Sequence, residues 1–218
     1  MRDEERTGHP GPEGVPHGQF DAVSASGSPA WVIGRPQPVV ETLLDRGWIE
    51  AGPVLDVGCG TGENLVEIAR RRSELEIVAV DSVAQAIERA RSLIERVGVD
   101  TAVSLEVVDL RERIPTGPFG TVLDAGVLHV FSDEDRSGYL DRVAEALLPG
   151  GRYLVVVFSD RETRPGGPRR LSREELGRAL AAAGLEVESI EDTRYLTTTM
   201  EGGARALLAC ARRPIPGS

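Results

Sequence analysis

Three glycines and four carboxylates carry the chemistry that this 218-residue chain offers most openly. Gly58, Gly60 and Gly62 stand at alternate positions in VLDVGCGTGENL, so the backbone there can pass close to a flat or bulky ligand. Asp56, Glu63, Asp81 and Asp109 each fall at or just past the end of an apolar run, and this reading places no arginine or lysine among them. Glycine-rich turns after strands serve pyrophosphates and nucleosides alike. Charge must therefore choose between them.

A dinucleotide turn, G-x-G-x-x-G, needs a third glycine where Glu63 stands. A pyrophosphate would also meet like charge along the rim. S-adenosylmethionine has no phosphate and two cationic groups, its sulfonium and its ammonium, and suits an acidic rim. Asp81 is placed to accept from both ribose hydroxyls, with Ser82 beside it; its alternative role is the N-cap of a helix starting near Val83. Asp109 is placed to meet the adenine amino group, with Leu110 against the ring, or is a strand-end turn residue. Cys59 reads as a small packing residue within the glycine turn rather than a nucleophile.

Two further residues lie where a transferred group would react. His129 follows the fourth expected strand and is a candidate general base, or a histidine that shapes the pocket. Asp124 could orient the cofactor or a turn as readily as it could move a proton. Arg35 and Arg169 are candidates to clamp a substrate carboxylate, with solvent-exposed loop arginines as the alternative. Tyr195 is a candidate pocket wall.

The elements that must position these groups alternate. Short apolar strands are expected at PVLDV, EIVAVD, VSLEVVDL, GTVLDAG and RYLVVVF, with helices at ENLVEIARRR, VAQAIERARSLIERV and DEDRSGYLDRVAEALL between them. Ser132 is the expected N-cap of the last of these, and Pro149-Gly150-Gly151 its stop. A capping box, Ser172 to Glu175, opens another helix, and LEVESIED and ARALLACAR close the chain as an antiparallel pair. The pattern is that of an α/β fold with a doubly wound, mostly parallel sheet. Residues 1–28, rich in glycine, proline and charge, are expected to form a flexible arm or a lid. Residues 29–50 form a loop and helix capping the site.

Composition excludes several classes. All 25 basic residues are arginine, so neither a P-loop lysine nor a Schiff-base lysine can exist here. The net charge of −10 comes without a basic stripe for nucleic acid. The apolar run Tyr153 to Phe158 is too short to span a bilayer. The charged start is no signal peptide, and two cysteines make neither a disulfide framework nor a metal cluster. A cytoplasmic monomer or homodimer without metal, acting on a small molecule, is expected.

VLDVGCGTG, VAVD, VVDL, FGTVLDAGVLHVF and LLPGGRYLVVVF, in this order over residues 53–158, resemble class I S-adenosylmethionine-dependent methyltransferases. The resemblance implies a Rossmann-like methyltransferase domain over 51–213, with a seven-stranded sheet of order 3-2-1-4-5-7-6. It also implies that Asp56 and Gly58, Cys59, Gly60 and Gly62 flank the methionine moiety, that Asp81 holds the ribose, and that Asp109 and Leu110 meet the adenine. Asp124, Ala125 and Gly126 would lie beside the methyl group. AWVIGRPQP and GVLHVFSDEDR are similar to bacterial members of the thiopurine, thiol and halide methyltransferase group, although Ala30-Trp31-Val32 lacks that group's proline and acid. Trp31 could still lie over the sulfonium. Methyl transfer to a thiol or specialised metabolite is the leading expectation. Non-methylating chemistry on the same cofactor and binding without turnover are the alternatives.

Overall fold

The structure, a computed structural model, describes residues 12–16, 18–25, 27, 29–99 and 101–217. Seven strands form one sheet: β1 (Val54–Val57), β2 (Ile77–Asp81), β3 (Val103–Val107), β4 (Phe119–Ala125), β5 (Leu147–Phe158), β6 (Glu186–Tyr195) and β7 (Ala204–Arg212). Their order is β3-β2-β1-β4-β5-β7-β6, and β7 alone runs antiparallel to its neighbours. The expected order is thus the observed one. The central strands read as unbroken apolar runs because helices cover both of their faces. One face packs α2 (Pro38–Asp45), α3 (Glu63–Arg71) and α4 (Ala84–Val97), with Leu43, Ile68 and Ile87 against Leu123, Leu154 and Val156. The other packs α5 (Asp133–Ala146) and α6 (Arg173–Ala182), with Leu140 and Leu176 against Val155 and Val157. Winding reverses between β1 and β4, which opens a crevice at the strands' carboxyl ends.

Both serine caps form: Ser132 Oγ accepts from Asp135 N at 3.0 Å, and Ser172 Oγ from Glu175 N at 3.1 Å. Three boundaries differ from expectation. Strand β5 starts at Leu147 rather than Arg152, because Leu147 already pairs with Phe119. Pro149-Gly150-Gly151 is then a register irregularity rather than a helix stop, tied to the chain's end through Gly150 N to Arg213 O at 2.8 Å. Strand β6 runs on to Tyr195, since Thr193, Arg194 and Tyr195 find partners on β7.

The third difference lies in the stretch expected as an arm or lid. Within residues 1–28, Gly18–Ala25 is a helix, α1, and the stretch before it straps onto the loop after β4. Val15 N donates to Val130 O at 2.8 Å, and Asp133 N to Pro12 O at 2.9 Å. Composition missed this because the strap uses backbone groups, whatever the side chains. Gly14 shows what the approach demands: its φ is +72°, and an added Cβ would lie 2.5 Å from Ser132 N. Residues 1–11, 17, 26 and 28 lie outside the described residues.

Candidate functional site

The crevice is a cavity of about 780 Å³. One wall is laid down by the turns after β1, β2 and β3. Gly58 and Gly60 hold φ of +64° and +56°, a conformation open to glycine at little cost. A Cβ on Gly58 would lie 2.2 Å from Val127 Cγ2, whereas one on Gly60 would meet nothing within 4 Å and would project into free space. Asp81, Ser82, Asp109 and Leu110 line the same end. The Asp81 carboxylate accepts from Gly60 N and Val83 N, both at 2.9 Å. It therefore braces the turn before α4 and lines the cavity, while the N-cap of α4 is Val83, with no side-chain cap.

The four carboxylates do not form one acidic rim. Asp56 does not line the cavity; it is buried beneath the turn, and burial together with Asp81 and Asp124 pushes its carboxyl up to about 8. Glu63 turns aside to accept from Thr61 Oγ1 at 2.6 Å. Asp109 is held by Arg111, through Nε at 3.0 Å and Nη2 at 2.5 Å, and Arg89 also lines the cavity. The rim is mixed rather than purely acidic, because side chains two residues apart folded onto one another. Cys59 and Gly62 stay behind the wall as well. Burial pushes the Cys59 thiol well up, and Gly62 lies where a Cβ would crowd Ala90 Cβ at 3.0 Å.

The other end of the cavity is apolar. Phe158, Val130 and Met200 line it; Trp31 and, from α1, Phe20 and Val23 line the cavity as well, with α1 packed against α4. Phe20 meets Trp31 edge-on at 6.0 Å between centroids. Ala125, Gly126, His129 and Tyr195 stand where the two ends join. Phe158 links two of these, with ring centroids 5.1 Å from His129 and 5.8 Å from Tyr195.

Asp124 and His129 do not have the freedom that acid–base catalysis requires. Asp124 is fully buried and away from the cavity. Its oxygens accept from Val127 N at 2.7 Å, Leu128 N at 3.1 Å, Tyr139 Oη at 2.8 Å and Tyr153 Oη at 2.7 Å. It fixes the turn that carries Ala125 and Gly126. His129 reaches the cavity wall, but Phe158 N donates to its Nδ1 at 2.8 Å. The neutral ring then carries its proton on Nε2 and has no lone pair left for a substrate proton. Burial pushes the imidazole down to about 3, against a backbone hydrogen bond at Gly126, so it stays neutral.

The arginine clamp is not assembled either. Arg35 is exposed outside the cavity, and Arg169 is taken up by Asp133 at 2.6 Å and Glu175 at 2.7 Å. The loop after β5 does reach the site, through Gly166, Gly167 and Pro168. It is fastened by buried Glu162, which accepts from Arg164 N and Nε, both at 2.9 Å, and from Arg205 N at 2.8 Å. Sequence reasoning missed Phe158, Met200, Phe20 and Val23. Phe158 alone carried a signal, as the last residue of a strand that ends at the crevice. Among the described residues no helix is long and apolar enough to cross a membrane.

Known proteins match this arrangement. A family model described as a methyltransferase domain matches residues 54–151. The 2-heptyl-1-hydroxyquinolin-4(1H)-one methyltransferase of Mycobacteroides abscessus is 32% identical, over 81% of this chain and 78% of its own. A probable thiol methyltransferase of Arabidopsis thaliana is 27% identical, over 81% and 77%. A structure solved for the conversion of a disulfide bond into a thioacetal group in echinomycin biosynthesis superposes with a TM-score of 0.79 at 26% identity, covering 93% of this chain and 94% of its own. Fold, glycine turn and relatives agree: the chain belongs to the S-adenosylmethionine-dependent methyltransferases.

Proposed function

We propose that the chain transfers the methyl group of S-adenosylmethionine to a small, largely apolar molecule through a sulfur or oxygen acceptor. The observation that carries this is one cavity with two chemically distinct ends, a polar one at the β1–β3 turns and an apolar one under α1. The polar end fits the cofactor: Gly60 leaves open the space a side chain would fill, and Asp81 offers acceptors at a ribose position. When bound, the cofactor supplies a methyl group already activated by a positive sulfur. The protein has mainly to align the acceptor and exclude water. Phe20, Trp31, Phe158 and Met200 form a wall suited to a ring or alkyl chain, and the hydroxyquinolone and thiol in the relatives' names are of that kind.

Helix α1 serves as the lid over this end, anchored by the strap at Gly14 on one side and by the turn at Gly27 on the other. The enzyme works as a monomer or homodimer in the cytoplasm on free small molecules rather than nucleic acid; the net charge of −10 without a basic stripe supports the last of these. Purified protein incubated with S-adenosylmethionine and a panel of aromatic thiols and N-hydroxy heterocycles should yield S-adenosylhomocysteine and a methylated acceptor by mass spectrometry. Methylthioadenosine as the product would show attack on the other side chain of the sulfonium and refute the reading.

A further inference from the structure

The two groups at the joint of the cavity that the sequence offered for catalysis are not arranged to take a proton from an acceptor. His129 Nδ1 is bonded to Phe158 N, and Asp124 is bonded to four donors behind the wall. Asp81 and Asp109 stand at the cofactor end, the latter paired with Arg111, and Arg89 lies on that side as well. Two further carboxylates also line the cavity: Asp135, which accepts from Ser132 Oγ at 2.8 Å on the first turn of α5, and Glu13, exposed on the strap.

Tyr195 differs from all of these. It lines the cavity, is only 8% exposed, and its hydroxyl has no hydrogen-bond partner among the described residues. The hydroxyl lies over Gly126, where an added Cβ would be 3.2 Å from Oη. A buried phenol of this kind keeps its proton, since burial and Asp124 both push it upward. It is therefore a donor waiting for an acceptor.

We propose that the acceptor enters as its anion, a thiolate or an acidic oxyanion on an apolar body, and that the Tyr195 hydroxyl donates the hydrogen bond that holds it in line. The proposal rests on the methyl-transfer reading above. The acceptor's proton leaves to bulk water before binding. A lone pair of the anionic sulfur or oxygen forms the bond to the methyl carbon, the carbon–sulfonium bond breaks, and its electron pair stays on sulfur. The two charges cancel, so no proton remains in the cavity for a base to remove. An apolar wall helps, because it strips water from the anion as it meets the cation.

The test is the pH dependence of kcat/KM for a series of ring-substituted thiophenols and phenols of graded acidity, with S-adenosylmethionine saturating. The midpoint should follow each acceptor's own acidity. Tyr195→Phe should lower kcat/KM roughly 10- to 100-fold, the scale of a hydrogen bond to a charged group, with the midpoint unmoved. One midpoint shared by all acceptors would reveal an enzyme base and overturn the proposal, as would an unchanged kcat/KM in Tyr195→Phe. The wild-type series decides the question of ionisation even if the variant fails to fold. No product from any probe, with calorimetric binding of S-adenosylmethionine intact, also overturns the acceptor class. Loss of that binding would strike the underlying methyltransferase reading instead.

Discussion

The two ends of the cavity are built by different means. At the polar end a few residues in three short turns make the wall, and backbone conformation shapes it. Gly58 and Gly60 contribute conformation and empty space, and Asp81 braces the turn with the same carboxylate it offers to a ligand. At the acceptor end the wall is side chain, gathered from α1, Trp31, the end of β5, its following loop and the β6–β7 connection. The contrast teaches that a shared cofactor is met by a local, repeatable geometry, while a particular acceptor is met by whatever the long connections bring together. The joint between the ends is held from below by Asp124.

Breaking that joint should have the largest effect. Asp124→Ala leaves two buried backbone N–H groups and two buried tyrosine hydroxyls without their acceptor. A loss of roughly 3–5 kcal/mol in urea unfolding is expected. A variant as stable as the parent would show that the turn after β4 is held by packing alone. Asp81→Ala comes next and separates the two ends. Affinity for S-adenosylmethionine by calorimetry should fall by about 1.5–3 kcal/mol, the range for charge-assisted hydrogen bonds, while the acceptor KM stays near its parent value. A matching rise in acceptor KM would mean that the ends are not separable.

The same contrast explains what could be read in advance. The doubly wound sheet and the glycine turn were legible because each follows from local demands, apolar runs buried on both faces and positive φ at the turn, while the strand order came only with the family resemblance. Trp31, Gly58, Gly60, Asp81, Ser82, Asp109 and Leu110 are all placed on the cavity wall. Sequence position did not give side-chain direction, and the errors sit there. Arg111 stands two residues from Asp109, yet nothing in the spacing says that it folds back to neutralise it. Asp124 could have been recognised from its setting, since a carboxylate inside a doubly covered strand must find buried partners. Two of the chain's three tyrosines supply them. Phe20 and Val23 gave no signal, because a glycine- and proline-rich stretch with no periodicity hides a helix that is held mainly by what it covers.

That helix provides the smallest and most discriminating perturbation. Phe20 meets the Trp31 ring edge-on at 6.0 Å and shares the cavity wall with it. Truncating one ring of such a pair removes about 0.5–1.5 kcal/mol beyond the area buried. Phe20→Ala should therefore raise the acceptor KM about two- to tenfold, because the lid closes less firmly over an apolar ligand. The dissociation constant for S-adenosylmethionine should hold if α1 serves the acceptor end alone, a sharp condition because α1 also packs against α4, the helix after the Asp81 turn. Turnover at saturating acceptor should hold as well, because the groups at the joint, Gly126, His129 and Tyr195, keep their supports in β4, β5 and β6. Steady-state kinetics and calorimetry on one variant read all three quantities. If cofactor affinity weakens in step with the acceptor KM, then α1 closes over both ends at once, and the division belongs to the walls of the cavity but not to its lid.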